Sequence, residues 1–346
     1  MAVRLIDVAR VANVSRSTAS NVYANPARVR PELRERVEEA ALALGYSGPD
    51  PKGRILRAGK VNSIGVVVPG QWGVADALRS PVFVQFLQGV AQACDQAGAN
   101  MVLLPDVPGT NGIAAALVDG FIFGRTEQLE QLEAAHRRRL PFAVVDFNAG
   151  PDVNAVLVDA RAGAKAAVKH LIDLGHRRFG IMSFLRGSGP AQVFAAAANR
   201  DLSDVGIKVD QEKLAGATEA LAAAGIDING VPVVHAEPWD KAAARLLLDV
   251  APNATAMFSL SAMQALSLIN EARLRNINVP KDLSVVGFND IPEAILSHPP
   301  LTTVDSRSTE KGRIAAGFVL AGDHGQQHIL LPKLIIRNST AKVPGR

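Results

Sequence analysis

Beyond Val61 the chain alternates short apolar runs with helical stretches, and no other feature narrows its fold so far. The runs are SIGVVVP, NMVLLP, VDGFIFG, FAVVDF, AVLVD, RFGIMSF, VPVVHA, ATAMFSL and LSVVGFND. Segments of helical periodicity separate most of them, at 81–97, 126–139, 160–174, 239–250 and 262–275. A run that is apolar at every residue, rather than at every second one, suits a strand buried on both faces. Such strands alternating with helices make parallel sheets covered on both sides. Nine runs are too many for one small sheet, so two α/β subdomains are expected. The Ala-rich segments VFAAAANR and EALAAAG read as helix formers rather than linkers.

The first 46 residues follow a different rule. Leu5, Val8, Ala9 and Ala12 share one face of a short helix that ends at the tripeptide NVS. A second helix, about Arg16–Ala24, stops before Asn25-Pro26. A third opens at Pro31 and turns Leu33, Val37, Ala40, Ala41 and Leu44 inward. Pro31 at its first turn and Gly45 just past its end fit the usual helix asymmetry, whereas Arg30 is a poor N-cap. Residues 47–60 begin as a Pro- and Gly-rich linker and end in GRILRAGK, a helix too short to be stable alone. The expected organisation is a headpiece at 1–46, a linker with a hinge helix at 47–60, and a body at 61–346. Within the body, one subdomain takes about 61–159 and 291–322, the other about 160–290 and 323–346.

Charge separates the same regions. Residues 1–60 carry 11 Lys and Arg against 6 Asp and Glu, and the remaining 286 carry 26 against 27. A basic headpiece on a near-neutral body suggests a polyanionic partner. The chain has no run of about 18 apolar residues to span a membrane. Its first residues include Asp7 and lack the apolar core of a secretory signal, which points to the cytoplasm. The single cysteine, Cys94, excludes an intramolecular disulfide framework and a cysteine-based zinc site; its helical setting suits a buried thiol.

Two short helices joined by a tight turn form a helix-turn-helix pattern, whose second helix enters the major groove of DNA. On that helix Ala19, Val22 and Tyr23 face the neighbouring helices. Arg16, Ser17, Ser20 and Asn21 lie opposite. An Arg fork matches guanine O6 and N7, and Asn pairs bidentately with adenine N6 and N7. Ser15 and Thr18 sit where the helix N-terminus meets phosphate. Arg28, Arg30 and Arg34 are further phosphate candidates. A solvated polar face is the plainer reading of these residues, but the basic excess, the spacing and the position favour DNA.

The sequence LIDVARVANVSRSTASNVYANPARVRPELRERVEEAALALGY closely resembles the headpiece of the lac repressor (LacI/GalR) family. The resemblance continues through GKVNSIGVVVP, DARAGAKAAVKHLIDLGHRRFGIMS, NVPKDLSVVGFNDIP and PPLTTVDSRSTEKGRIAA, and so spans essentially the whole chain. It implies a homodimeric regulator that binds pseudo-palindromic operator DNA. Its body resembles periplasmic binding proteins, with two subdomains around a cleft for a small effector. By position, Arg16, Ser17 and Asn21 fall on the main base-reading sites. Leu56 matches the hinge leucine that wedges into the minor groove. Many relatives have Arg at the place of Asn21, so the preferred base there should differ.

Ligands of such folds sit at the carboxyl ends of the strands. Asp146, Asp159, Asn289 and Asp290 end strand-like runs, Phe83 follows the first strand's loop, and Trp239 stands at the start of a helix, at a position where the resemblance places a pocket aromatic. Asp159 and Asp290 suit helix capping as well as ligand contact, and Phe83 suits the core equally. The resemblance places a pocket arginine near KLAGA, giving Lys213, with a competing register near Arg200. It places a sugar-gripping Asp at Ala262. The loss of that carboxylate implies either a substitute acceptor or an effector other than an ordinary hexose.

The rival readings fare worse. PGQWG is neither a P-loop nor a dinucleotide fingerprint, and there is no serine elbow. His170 and His176 flank LIDLG, while His324 and His328 lie in the loop-like GDHGQQH, a poor metal site. The expectation is a non-enzyme without cofactor or metal. A solute-binding protein would fit the body but leaves the headpiece unexplained.

Overall fold

The structure, a computed structural model, describes residues 3–49, 59–68, 73–105, 112–124, 129–187, 189–197, 201–203, 205–240 and 242–343. The chain divides into two compact units, Met1–Val61 and Asn62–Arg346. Leu56 and most of the expected hinge lie outside the described residues, as does Arg200.

The first unit has three helices, α1 (Leu5–Val11), α2 (Arg16–Ala24) and α3 (Pro31–Leu44). Each contributes one fully buried residue to a shared contact: Val8, Ala19 and Val37. Small side chains at this contact let three short helices approach closely around little apolar material. Gly45 closes α3 in the left-handed conformation, φ 66°, which a side chain would disfavour. Tyr23 packs edge-on against Tyr46, fastening α2 to the residues that follow α3.

The second unit holds two sheets. The first runs β12-β5-β4-β3-β1-β2, with β1 (Ser63–Val67), β2 (Asn100–Leu104), β3 (Gly120–Gly124), β4 (Phe142–Val145), β5 (Asn154–Val158) and β12 (Gln327–Leu330), all parallel. The second runs β13-β11-β10-β9-β6-β8-β7. Its strands are β6 (Phe179–Phe184), β7 (Gln192–Phe194), β8 (Val233–Ala236), β9 (Ala256–Ser259), β10 (Ser284–Phe288), β11 (Thr302–Asp305) and β13 (Lys333–Ile335). Only the edge strands β7 and β13 pair antiparallel. The order β2-β1-β3-β4-β5 recurs as β8-β6-β9-β10-β11, so each sheet reverses its winding beside its first strand. Alternate residues of one strand feed opposite layers, as Phe121 and Phe123 lie in one core and Ile122 in the other. This is why the runs are apolar throughout.

All nine apolar runs contain strands. Four strands escaped the apolar pattern. β7, β12 and β13 are short edge strands, and β11 reads Thr-Thr-Val-Asp, β-branched but not hydrophobic. The described part of VFAAAANR, residues 193–197, is not a helix: Val193 and Phe194 belong to β7, and Ala195–Ala197 are irregular. Pairing with β8 overrides the alanines' helix propensity there. EALAAAG lies in the helix Lys208–Ala223, as expected.

The expected subdomain crossings need moving. Residues 291–305 stay with the second sheet, because β11 pairs with β10. Residues 323–330 stay with the first, because β12 pairs with β5. The chain therefore crosses between β5 and the helix Ala160–Asp173, between β11 and the helix Ser308–Ala321, and between β12 and β13. The Ser308–Ala321 helix is held against the helix Pro81–Ala97 by glycine on both sides. A Cβ at Gly89 would lie 1.8 Å from Thr309 O, and one at Gly312 would lie 2.1 Å from Phe86 O.

Candidate nucleic-acid interface and ligand cleft

Helix α2 begins with Ser15, whose Oγ accepts a hydrogen bond from the Thr18 backbone N–H at 3.0 Å. The same oxygen is 2.7 Å from Ser17 Oγ and 2.8 Å from Thr18 Oγ1. Ser15 thus acts as N-cap and draws two further hydroxyls into a cluster at the helix start. Arg16, Ser17 and Asn21 are exposed, Thr18 and Ser20 are half-buried, and Ala19 and Val22 are buried. The face expected to read bases is therefore the outward one. Arg28 and Arg30 are exposed too. Among the described residues Arg16, Arg28 and Arg30 form no ion pair, whereas Arg4 and Arg10 meet Asp7 and Arg34 meets Glu38.

One residue that sequence reasoning passed over shapes this unit. Arg36 of α3 donates to Ala12 O at 2.6 Å and to Asn13 O at 3.3 Å. Asn13 has φ 50°, the left-handed step that makes the turn between α1 and α2 tight. The guanidinium satisfies carbonyls that the end of α1 leaves open. An arginine on the outer side of α3 gave no sequence signal of this.

In the second unit, a cavity of about 70 Å³ lies between the two sheets at the carboxyl ends of their strands. Aromatic and apolar groups form much of its wall: Phe83, Phe86, Phe184, Trp239, Val82 and Met263. Polar groups are Ser80, Ser261, Ser308, Asn289, Asp146 and Lys311. Asp146 follows β4 and Asn289 follows β10, both with positive φ, 65° and 71°. Asp and Asn take that conformation more readily than other non-glycine residues, and here it turns both out of line with their strands. Trp239 precedes its helix, which starts at Ala243 rather than at 239. The Arg79 guanidinium sits 5.5 Å from the Trp239 ring centroid, and Gln85 donates to Asp290 O at 2.8 Å, so both halves meet at this edge.

Of the expected ligand residues, Phe83, Asp146, Trp239 and Asn289 line the cleft together. Two do not. Asp159 caps the helix Ala160–Asp173, accepting from Ala162 N at 2.9 Å, and is not among the lining residues. Lys213 is buried behind the wall, where its Nζ meets Asp210 at 3.1 Å and Leu260 O at 3.3 Å and lies over the Phe288 and Phe184 rings. It does not line the cleft: its Nζ is turned to Asp210 and Leu260 O instead. Asp290 is held by Arg337 through two bonds, at 2.7 and 2.9 Å. Ala262 opens the helix Ala262–Leu274, and its N-cap Ser261 presents the polar group there.

The missed residue of most consequence is Lys311, which donates to Asp146 Oδ2 at 2.6 Å. It had a legible signal. Ser308, Lys311, Gly312, Ala315, Ala316 and Val319 form one buried stripe, and a lysine inside such a stripe needs a partner. Among the described residues no group of three or more His, Cys, Asp or Glu could hold a metal. None of the described helices is long and apolar enough to cross a membrane.

A helix-turn-helix unit that exposes Arg16, Arg28 and Arg30, followed by twin parallel sheets around a cleft, defines a DNA-binding regulator with a binding-protein-like body. Residues 4–48 match the model of bacterial regulatory proteins of the lacI family, and residues 168–340 match the periplasmic binding protein-like domain. An HTH-type transcriptional regulator of Mycolicibacterium smegmatis is 32% identical over 361 residues, covering 98% of this chain and 96% of that protein. The chain belongs to the lacI family of transcriptional regulators. The solved structure of the transcriptional regulator CelR in complex with cellobiose superposes with a TM-score of 0.65 at 26% identity, over 97% and 99% of the two chains. The lac repressor dimer bound to operator and the anti-inducer ONPF superposes at 0.76 with 22% identity, over 99% and 100%, a likeness of fold.

Proposed function

We propose that this regulator is a repressor whose grip on operator DNA is controlled by a small effector in the cleft. The observation that carries the DNA half is the outward face of α2, where exposed Arg16, Ser17 and Asn21 follow a capped, hydroxyl-rich helix start. Arg16 and Asn21 read base edges. Thr18, Arg28 and Arg30 hold phosphates, and Ser15 presents the helix start to them. Two copies bind a pseudo-palindrome, with Leu56 of each at its centre. The solved relative bound to operator as a dimer supports this reading.

The cleft half rests on Asp146, Asn289, Phe83 and Trp239 converging between the sheets. Cellobiose in the CelR complex supports a carbohydrate or related metabolite as the effector. An effector that prefers one closure of the two halves shifts DNA affinity by that difference in binding energy. Among the described lining residues the charged groups are Asp146 and Lys311, which pair with each other. Binding-site selection from random DNA tests the first half, with an enriched palindrome expected and salt-labile, sequence-blind retention as the refuting result. The second half fails if no carbohydrate or metabolite alters operator affinity in a gel shift.

A further inference from the structure

One buried amide ties together three strand ends of the second sheet. Gln264 is 2% exposed and stands in the first turn of the helix Ala262–Leu274. The other residues that this helix buries, Ala262, Ala265, Leu268, Ile269 and Ala272, are apolar. An amide in such a stripe is costly unless it is hydrogen-bonded, so its presence has to be explained by the bonds it makes. Its Nε2 donates to Ser183 O of β6 at 3.1 Å and to Ala236 O of β8 at 3.3 Å. Its Oε1 accepts from Ser259 Oγ of β9 at 3.4 Å. The three strands are neighbours in the order β9-β6-β8, and the bonds fall at their carboxyl ends. Two acceptor carbonyls on one side and a hydroxyl on the other fix which way round the amide sits.

Each of these ends leads into the wall of the cleft. Phe184 follows Ser183, Pro238 and Trp239 come shortly after Ala236, and Ser261 comes shortly after Ser259; all four line the cleft. Ser259 Oγ extends the tie by donating to Ser261 O at 2.8 Å. Gln264 itself is not among the described lining residues. We propose that Gln264 is a positioning residue of the effector site, which touches no ligand but sets where Phe184, Trp239 and Ser261 stand to meet one. The proposal rests on the reading of the cleft as an effector site. Wall groups that must be ordered as the ligand arrives subtract that cost from its affinity, and wall groups held in advance do not. Packing alone does not call for glutamine here, since methionine fills nearly the same volume without burying an amide.

The test uses the full chain carrying Trp72→Phe, which leaves Trp239 as the only tryptophan. Gln264→Met removes the amide at nearly constant volume. Without any ligand, acrylamide should quench Trp239 with a steeper slope than in the parent, while circular dichroism is unchanged. A purely structural glutamine would lower the unfolding midpoint and leave Trp239 as it was, so equal slopes overturn the proposal. Should Gln264→Met fail to fold, Gln264→Asn keeps the amide but withdraws it by one methylene, and the same comparison applies. Gln264→Glu is the conservative rescue at about pH 5, where a buried glutamic acid keeps its proton and donates to one of the two carbonyls. Its slope should fall between those of the parent and Gln264→Met; a slope equal to that of Gln264→Met overturns the role of the amide. Cellobiose supplies the last arm. Its dissociation constant, read from Trp239, should rise about tenfold in Gln264→Met, the most that a typical hydrogen bond is worth. Unchanged affinity overturns the proposal. If cellobiose leaves the parent's Trp239 unmoved, that result bears against the effector reading, and the ligand-free slopes alone decide the role of Gln264.

Discussion

The headpiece and the cleft treat charge in opposite ways. Arg16, Arg28 and Arg30 stand exposed and unpaired among the described residues, open to a polyanion. Lys311 and Lys213 are buried and meet Asp146 and Asp210 within the protein itself. An exposed arginine keeps its hydration until a phosphate replaces it. A buried lysine cannot stay charged without a partner, because the desolvation penalty is several kcal/mol per ion. One region leaves its electrostatics for a partner to complete, and the other completes them in advance.

The sharpest way to break that contrast is to dislodge the helix carrying Lys311. Gly312→Val places side-chain atoms where Phe86 O already lies, so the helices must part. A loss of about 3 kcal/mol is expected for overpacking of this severity. Chemical denaturation of the body should show it as a lower midpoint, while α1–α3 keep their helicity. An unchanged midpoint would mean that the close approach of Gly89 and Gly312 is not needed.

Asn21→Ala should come next, at about 1–3 kcal/mol of lost discrimination at one base pair in each half-site. Quantitative selection on the variant would reveal it, and an unaltered base preference would contradict the role of Asn21. Ser15→Ala removes the N-cap of α2 and should lower headpiece stability by about 1 kcal/mol, read from a thermal melt of helicity. If stability does not change, the hydroxyl cluster around Ser15 is not holding the helix start.

The smallest effect concerns pH. Burial lowers the pKa of His170, with Asp173 opposing. Burial also lowers that of His176, reinforced by His170 and opposed by the hydrogen bond to Ala341 O. The rings hold residues that follow β13, His170 through Thr340 Oγ1 and His176 through Ala341 O. A depressed histidine pKa means that the unfolded chain takes up the proton first. Their contribution is therefore full above the ordinary value of 6.5 and declines as pH falls through it toward the folded-state values. Melting at successive pH values should show that decline, and replacing both histidines with glutamine should flatten it.

Much of the fold was legible because the information is local. Nine strands announced themselves as apolar runs, since each is buried on both faces. The three headpiece helices followed from periodicity and from Pro31 and Gly45. β11 and β7 were not legible in this way. Thr302 and Thr303 are fully buried by their neighbours rather than by their own hydropathy, and Val193 and Phe194 pair where alanines predict a helix. The site divides likewise. Asp146, Asn289, Trp239 and Phe83 could be found because ligands gather at strand ends. Asp159 was misjudged because a strand-end aspartate caps a helix equally well.

The sequence by itself determined the headpiece, its outward polar face and the α/β class of the body, because those depend on residues three or four apart or on single apolar runs. Only the tertiary structure decided which strands share a sheet, where the chain crosses between them, and that Lys311 meets Asp146. Those two residues stand 165 positions apart, and nothing in the chemistry of either names the other. Their contact exists because two glycines let one helix settle onto another, a condition that only packing in three dimensions imposes.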